Sequence, residues 1–271
     1  FRKYSPLAKA TTALTEGVTP DGQALDVSAI TATVDQYGGW IQLPDMLLLT
    51  AIDNNMIQAT QLLGDQAGRT LDTVTREVLN GGTNVQYYDG SVASRATLTG
   101  SNKLTVDCIF RAVRALKVQN AKPIDGSFVG IIHPDVAYDL MRSTEWIDLQ
   151  KYTNNVEHVF NGEIGKIAGV RFVETTEAKI FAKAGAKPSQ DAANGIDVYA
   201  TLILGSNAYG VTEVTGGGLQ HIVKQLGSSG AADPLNQRAS VGWKAVKVAE
   251  RLVEQYMIRI ETGSTFNSGA N

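Results

Sequence analysis

TAIDNNMIQATQLLGDQAGRTLDTVTREVLNGG, residues 50–82, is the stretch on which the fold turns. Apolar side chains fall at Ile52, Met56, Ala59, Leu63, Ala67, Leu71, Val74 and Val78. Steps of three and four keep them on one stripe of an α-helix. Thr50-Ala51-Ile52-Asp53 resembles a capping box with Asp in the usual Glu position, and Asn80-Gly81-Gly82 supplies a stop. Roughly thirty residues at 1.5 Å rise predict a helix of about 45 Å. A helix of that length is stabilised mainly by what its apolar face packs on. The expected partners of Leu63, Leu71 and Val74 are the last strands, where Ile258 and Ile260 alternate with Arg259 and Glu261. Gly64 and Gly68, four apart, either admit a second backbone or are simply tolerated.

The chain before this helix is of another kind. Residues 1–7 mix aromatic and basic groups up to Pro6, and a polar run follows, with Pro20-Asp21-Gly22 as a turn. Residues 27–34 alternate in part, Gly38-Gly39 permits a kink or bulge, and residues 40–43 extend the strand to Pro44. Together these predict a long two-stranded arm with a loose tip. Such a ribbon has little core of its own and needs a partner surface.

After the helix, residues 83–103 are polar and turn-rich. Periodicity predicts a helix over 106–118, a buried strand over 127–132, a helix opened by His133-Pro134-Asp135, and a short helix over 146–152. Strands are expected at 170–174, 198–204, 219–225, 241–248 and 257–261, with a small-residue loop over 182–196. The class is α+β.

Composition narrows the function. The 271 residues are 43% hydrophobic, enough for a sizeable core. With 24 Lys and Arg against 27 Asp and Glu the formal charge is −3, which argues against a strongly basic nucleic-acid-binding face. Cys108, the single cysteine, can form neither an internal disulfide nor a zinc cluster. No apolar run approaches the roughly 18 residues of a membrane span. No signal peptide is evident, and the chain opens on Phe1 rather than Met, which points to residues upstream.

The motifs that would carry chemistry fail on spacing. NGEIGKIAGVRFVETTEAKIF, residues 161–181, offers Gly165-Lys166, but Phe160 stands where a P-loop needs its first glycine and Ile167 where it needs Ser or Thr. The stretch also leads into a strand rather than a helix, so Gly162, Gly165 and Gly169 read as a turn. His133, His158 and His221 lack partners at metal-ligand spacing, and Gly216-Gly217-Gly218 lacks the dinucleotide spacing. Trp40, Trp146 and Trp243 read as packing or contact anchors, and Arg111, Arg114 and Lys117 as a solvated helix face. No catalytic, cofactor or metal site is expected.

A long helix, a protruding arm and no chemistry fit a protein that builds a shell. The sequence resembles the major capsid proteins of tailed bacteriophages, in particular the family named for the coliphage N-four capsid protein. The likeness rests on FRKYSPL, LTEGVTPDGQ, ITATVDQYGGW, LTAID, LNGGTNVQY, AKPIDGSFVGIIHPDVAYDL, EWIDLQKY, the 161–181 stretch and DPLNQRASVGWKA, in order along nearly the whole chain.

The resemblance implies the fold shared by tailed-phage and herpesvirus shells. Residues 1–48 correspond to an extended loop reaching over a neighbour, 49–103 to a peripheral domain with a spine helix, 104–237 to an axial domain, and 238–271 to strands returning to the peripheral domain. It implies hexamers and pentamers of this chain in an icosahedral head around double-stranded DNA contacted non-specifically. It further implies portal, scaffold and decoration partners, a place in the virion and assembly in the host bacterial cytoplasm. Subunit contacts are expected at Arg2, Lys3, Lys9, Glu16, Asp21, Trp40 and Lys166. No motif transfers the covalent crosslinking found in some relatives of the fold. The alternatives are the shell protein of a non-viral nanocompartment of the same fold and, more distantly, a soluble enzyme with an unrecognised site.

Overall fold

The computed structural model describes residues 1–50, 52–152, 165–187, 195–212, 216–228, 230 and 233–266. Elements run in the order β1 (Arg2–Tyr4), β2 (Val27–Ala29), β3 (Asp35–Pro44), α1 (Asp45–Thr50), α2 (Asn55–Asn80), β4 (Val85–Tyr87), α3 (Val106–Val118), β5 (Phe128–Ile132), α4 (Pro134–Met141) and α5 (Thr144–Tyr152). They continue with β6 (Lys166–Ile167), β7 (Val170–Glu174), β8 (Ile180–Phe181), β9 (Val198–Leu204), β10 (Tyr209–Thr212), β11 (Gln220–Lys224), β12 (Arg238–Arg251) and β13 (Met257–Thr262). The mixed class is the expected one.

Two sheets divide the work. The larger has seven strands, in the order β4-β13-β9-β5-β7-β6 with β8 added beside β9. Its centre, β9, reads VYATLIL and is buried at every position, because both faces of the strand are covered. Helices α3, α4 and α5 cover the first face. Ile109, Leu116, Val136, Leu140 and Trp146 pack there against Ile132, Val170, Phe172, Ile203, Ile258 and Ile260. In the smaller sheet β12 pairs with β3 and β11 along its first half and with β10 along its second.

α2 spans 26 residues, about 39 Å at 1.5 Å per residue. It starts later than the capping-box reading placed it. Thr50 ends α1, donating its hydroxyl to the Met46 carbonyl. Asn54 is the cap, accepting the Ile57 amide with its side chain, as Asn at this position does well. From Met56 onward the apolar stripe is as read, but Ile52 lies ahead of the helix in solvent, and the partner of the stripe differs. Leu63 and Ala67 pack on Val241, Trp243 and Ala245 of β12, with Leu71 half-buried beside them. Ile258 and Ile260 belong to the other core, beneath α3. Leu79, in the last turn, packs on the larger sheet, against Leu202, Leu204 and Met257.

The arm also differs. β1 and β2 pair over three residues each, but β3 belongs to the body and runs antiparallel to β12 from Asp35 to Pro44. Gly38-Gly39 makes a close approach there rather than a kink. A Cβ on Gly38 would stand 2.7 Å from the Trp243 carbonyl oxygen, and one on Gly39 2.4 Å from Gln66 Oε1. Gly64 and Gly68 face open space, with nothing within 4 Å of a Cβ built on either. In the polar stretch after α2, β4 is an unforeseen strand, paired in parallel with β13.

His133 is the helix start that its Pro-Asp sequel suggested. Its Nδ1 accepts the Asp135 amide at 3.2 Å. Burial depresses its pKa from the ordinary 6.5, against the opposing pull of Asp135 and Glu174. The folded state therefore favours neutral imidazole. The stability this contributes is complete above pH 6.5 and is lost as pH falls below that value toward the lowered folded pKa. His133→Asn keeps a good cap without a titrating ring. The variant should melt like the parent at pH 8 and lose less stability between pH 7 and pH 5. An unchanged acid slope in its melting temperature would assign that sensitivity to other groups.

Candidate assembly surfaces

The expected contact residues do not form one cluster. Arg2 and Lys3 lie in β1, and Lys9, Glu16 and Asp21 in the loop between β1 and β2. Every residue from Pro6 to Ala29 is exposed. The ribbon is held at its root, where the Phe1 amino group donates to the Ile30 carbonyl at 2.7 Å and the Ser5 hydroxyl donates to Asp26 at 2.9 Å. The Phe1 ring covers Gly210, at 2.8 Å from where a Cβ would stand. Beyond that root the loop carries Leu7, Leu14, Val18 and Leu25 into solvent, with Leu14 78% exposed. Four large apolar side chains thus stand uncovered on an otherwise polar loop.

Trp40 sits on the body, on the face of the smaller sheet away from α2, and is 67% exposed. Gly242 lies directly opposite it and Ile222 one strand further. Together with Lys224 and Ser240 they line a shallow groove of about 320 Å³. α1 has no buried residue, and Met46 and Leu49 stand in solvent.

Lys166 lies at the far edge of the larger sheet. The glycine-rich stretch that contains it is a turn, as its spacing implied. Ala168 and Gly169 take φ of 50° and 82°, the two positive values of a tight hairpin joining β6 to β7. Lys166 is exposed and donates to the Gly126 carbonyl at 3.3 Å. Gly162 and His158 lie outside the described residues.

The most strongly held charges are buried, and no local pattern marks them. Glu261 is fully buried on β13. Arg95, in a single 3₁₀ turn, grips both its oxygens at 2.7 Å, and Arg259 Nε donates to it at 2.7 Å. Donating to the Glu261 carboxylate raises the Arg95 pKa further and keeps the guanidinium charged. Arg95 also lies 3.4 Å over the Phe181 ring, and Arg259 donates to the Asn80 carbonyl at the end of α2. Every group here is answered by another, so the arrangement holds the fold rather than a substrate. Among the described residues no His, Cys, Asp and Glu group could hold a metal ion. No described helix is long and apolar enough to cross a membrane.

The profile of the family described as "Phage capsid protein" matches residues 50–226, more than half of the chain. The chain belongs to the phage capsid protein family. As a member it is a structural major capsid protein and not an enzyme. No curated protein matches the capsid protein in sequence.

Solved structures agree on the fold. The capsid of Ralstonia phage GP4 superposes with a TM-score of 0.72 at 16% identity, over 97% of this chain and 82% of that one. The cyanophage Pam1 capsid gives 0.72 at 15% identity, over 98% and 84%. The holo-SrpI encapsulin complex from Synechococcus elongatus is further away, with a TM-score of 0.54 at 9% identity over 89% and 79%. At these identities the likeness is one of fold.

Proposed function

We propose that this capsid protein assembles as hexamers and pentamers into an icosahedral phage head around double-stranded DNA. On this reading the segment up to about residue 48 is the loop that reaches over a neighbour. Residues 1–34 overhang, and β3 anchors them to the body. Residues 49–103 carry the spine helix, 104–237 form the axial domain, and 238–271 return to the peripheral domain. The observation that carries the reading is the exposed loop, whose Leu7, Leu14, Val18 and Leu25 find no cover within their own subunit. Arg2, Lys3, Lys9, Glu16 and Asp21 on the loop, and Trp40 beside its anchor, are the proposed contacts there, with Lys166 at the sheet edge.

DNA is held by confinement and weak phosphate contact, consistent with a formal charge of −3. Portal, scaffold and decoration proteins complete the proposed set of partners, and assembly takes place in the host cytoplasm. The encapsulin likeness keeps a second reading open, a non-viral nanocompartment shell.

Electron microscopy of the purified protein tests the shell, and its nucleic-acid content separates the two readings. Hydrogen exchange tests the loop. Amides from Leu7 to Ala29 should exchange fast in the free subunit and at least about tenfold more slowly in particles, as segments ordered by a partner do. Equal rates in both states would remove the neighbour from this account.

A further inference from the structure

The β6–β7 hairpin carries a charge arrangement that no described acidic residue answers. Its register pairs Ile167 with Val170 and Lys166 with Arg171. Strand alternation sends Ile167, Val170 and Phe172 into the core beneath α3. Lys166, Arg171 and Val173 therefore share the opposite face of the sheet, and all three are exposed. Like charges directly opposite each other on one face destabilise an antiparallel pair. Lys166 donates only to a carbonyl, and Arg171 has no acidic partner among the described residues.

The β6–β7 edge of that face is open as well as basic. Helices α3–α5 lie on the other face; on this one Leu79 of α2 packs on β9, and Asp72, Thr75 and Arg76 line a cavity with Val173, which stays 47% exposed. A sheet of this kind is stable when both of its apolar faces are covered.

A second copy of the chain offers the complement. α5 buries Trp146 in the core on the first face. Its outer side shows Glu145 and Asp148 one turn apart, with Ile147 43% exposed beside them. We infer that Lys166, Arg171 and Val173 of one subunit receive the Glu145–Asp148 side of α5 of the next. The two patches lie on opposite layers of the same lobe, so the contact is head-to-tail. Such a contact repeats into a closed ring when its rotation closes. The apolar half selects a protein partner over nucleic acid, because a phosphate backbone gives Val173 no counterpart. The inference rests on the shell reading above and names the faces that meet within a ring.

Charge exchange tests it on whole particles. Lys166→Glu with Arg171→Glu should cut particle yield by about tenfold or more, since like charges facing each other across an interface cost several kcal/mol and each 1.4 kcal/mol is tenfold. Glu145→Lys with Asp148→Lys should do the same, and the four changes together should restore assembly. Thermal melting of the free subunits controls for folding, since all four side chains are exposed. Wild-type shells with either reversed pair assembling normally, or with no rescue by the combination, would overturn the contact alone. Normal shells that lose only their DNA in the Lys166→Glu, Arg171→Glu protein would assign the pair to phosphate instead. Wild-type protein that forms no particle would overturn the shell reading and this contact with it.

Discussion

Glu261→Gln should cost the subunit about 3–5 kcal/mol, the usual penalty for removing one partner of a buried ion pair. The reason is what remains. The Arg259 side chain is 8% exposed and would keep its charge with no carboxylate to meet it. Arg95 is 31% exposed and could turn toward water. A loss of this size is a large share of the roughly 5–15 kcal/mol that holds a typical domain together. Arg95→Gln should cost less, because Arg259 and Glu261 still pair. Replacing all three charged residues with apolar ones of similar volume should recover much of the loss, since the desolvation of the charges is removed along with their attraction. Denaturant unfolding of the free subunits measures all of this. A Glu261→Gln variant within about 0.5 kcal/mol of the parent would show that water already reaches the cluster.

This cluster marks where the sequence stops being legible. Alternation along β13 does place Ile258 and Ile260 on one face and Arg259 and Glu261 on the other. That second, charged face is covered too. Arg95 arrives from a loop 166 residues away in sequence, and the end of α2 lies beside it. A period of two assigns faces, but only tertiary structure says which face is covered. The contact surfaces divide along the same line. Lys166 is visible because it sits in a glycine-jointed turn. Arg171 becomes its counterpart only once the register is known. The loop tip could be read as uncovered because nothing nearby in sequence could cover it. By contrast β9, α3 and the His133 cap follow from local pattern, and the structure places them where that pattern does.

Leu63→Ala should lower subunit stability by about 2–5 kcal/mol, the range for removing a fully buried leucine. Leu63 is 3% exposed and fills the contact between α2 and Val241, Trp243 and Ala245. The helix stripe alone would give Leu71 an equal effect, but the structure separates the two. Leu71 is only half-buried, and between Ala67 and Leu79 the helix is held by charge as well as by packing. Arg69 meets Glu177 at 2.8 Å, Arg76 reaches the same carboxylate at 3.5 Å, and Glu77 meets Lys179 at 2.8 Å. Leu71→Ala should therefore fall below the Leu63 range. Arg69→Ala should stay within about 0.5 kcal/mol, since its side chain is 64% exposed and exposed pairs contribute little. Thermal unfolding of the three free subunits ranks them, and particle counts then show whether any loss in assembly exceeds the loss in folding. If Leu71→Ala proved more damaging than Leu63→Ala, the helix would lean on the larger sheet after all, and the packing on β12 would be secondary.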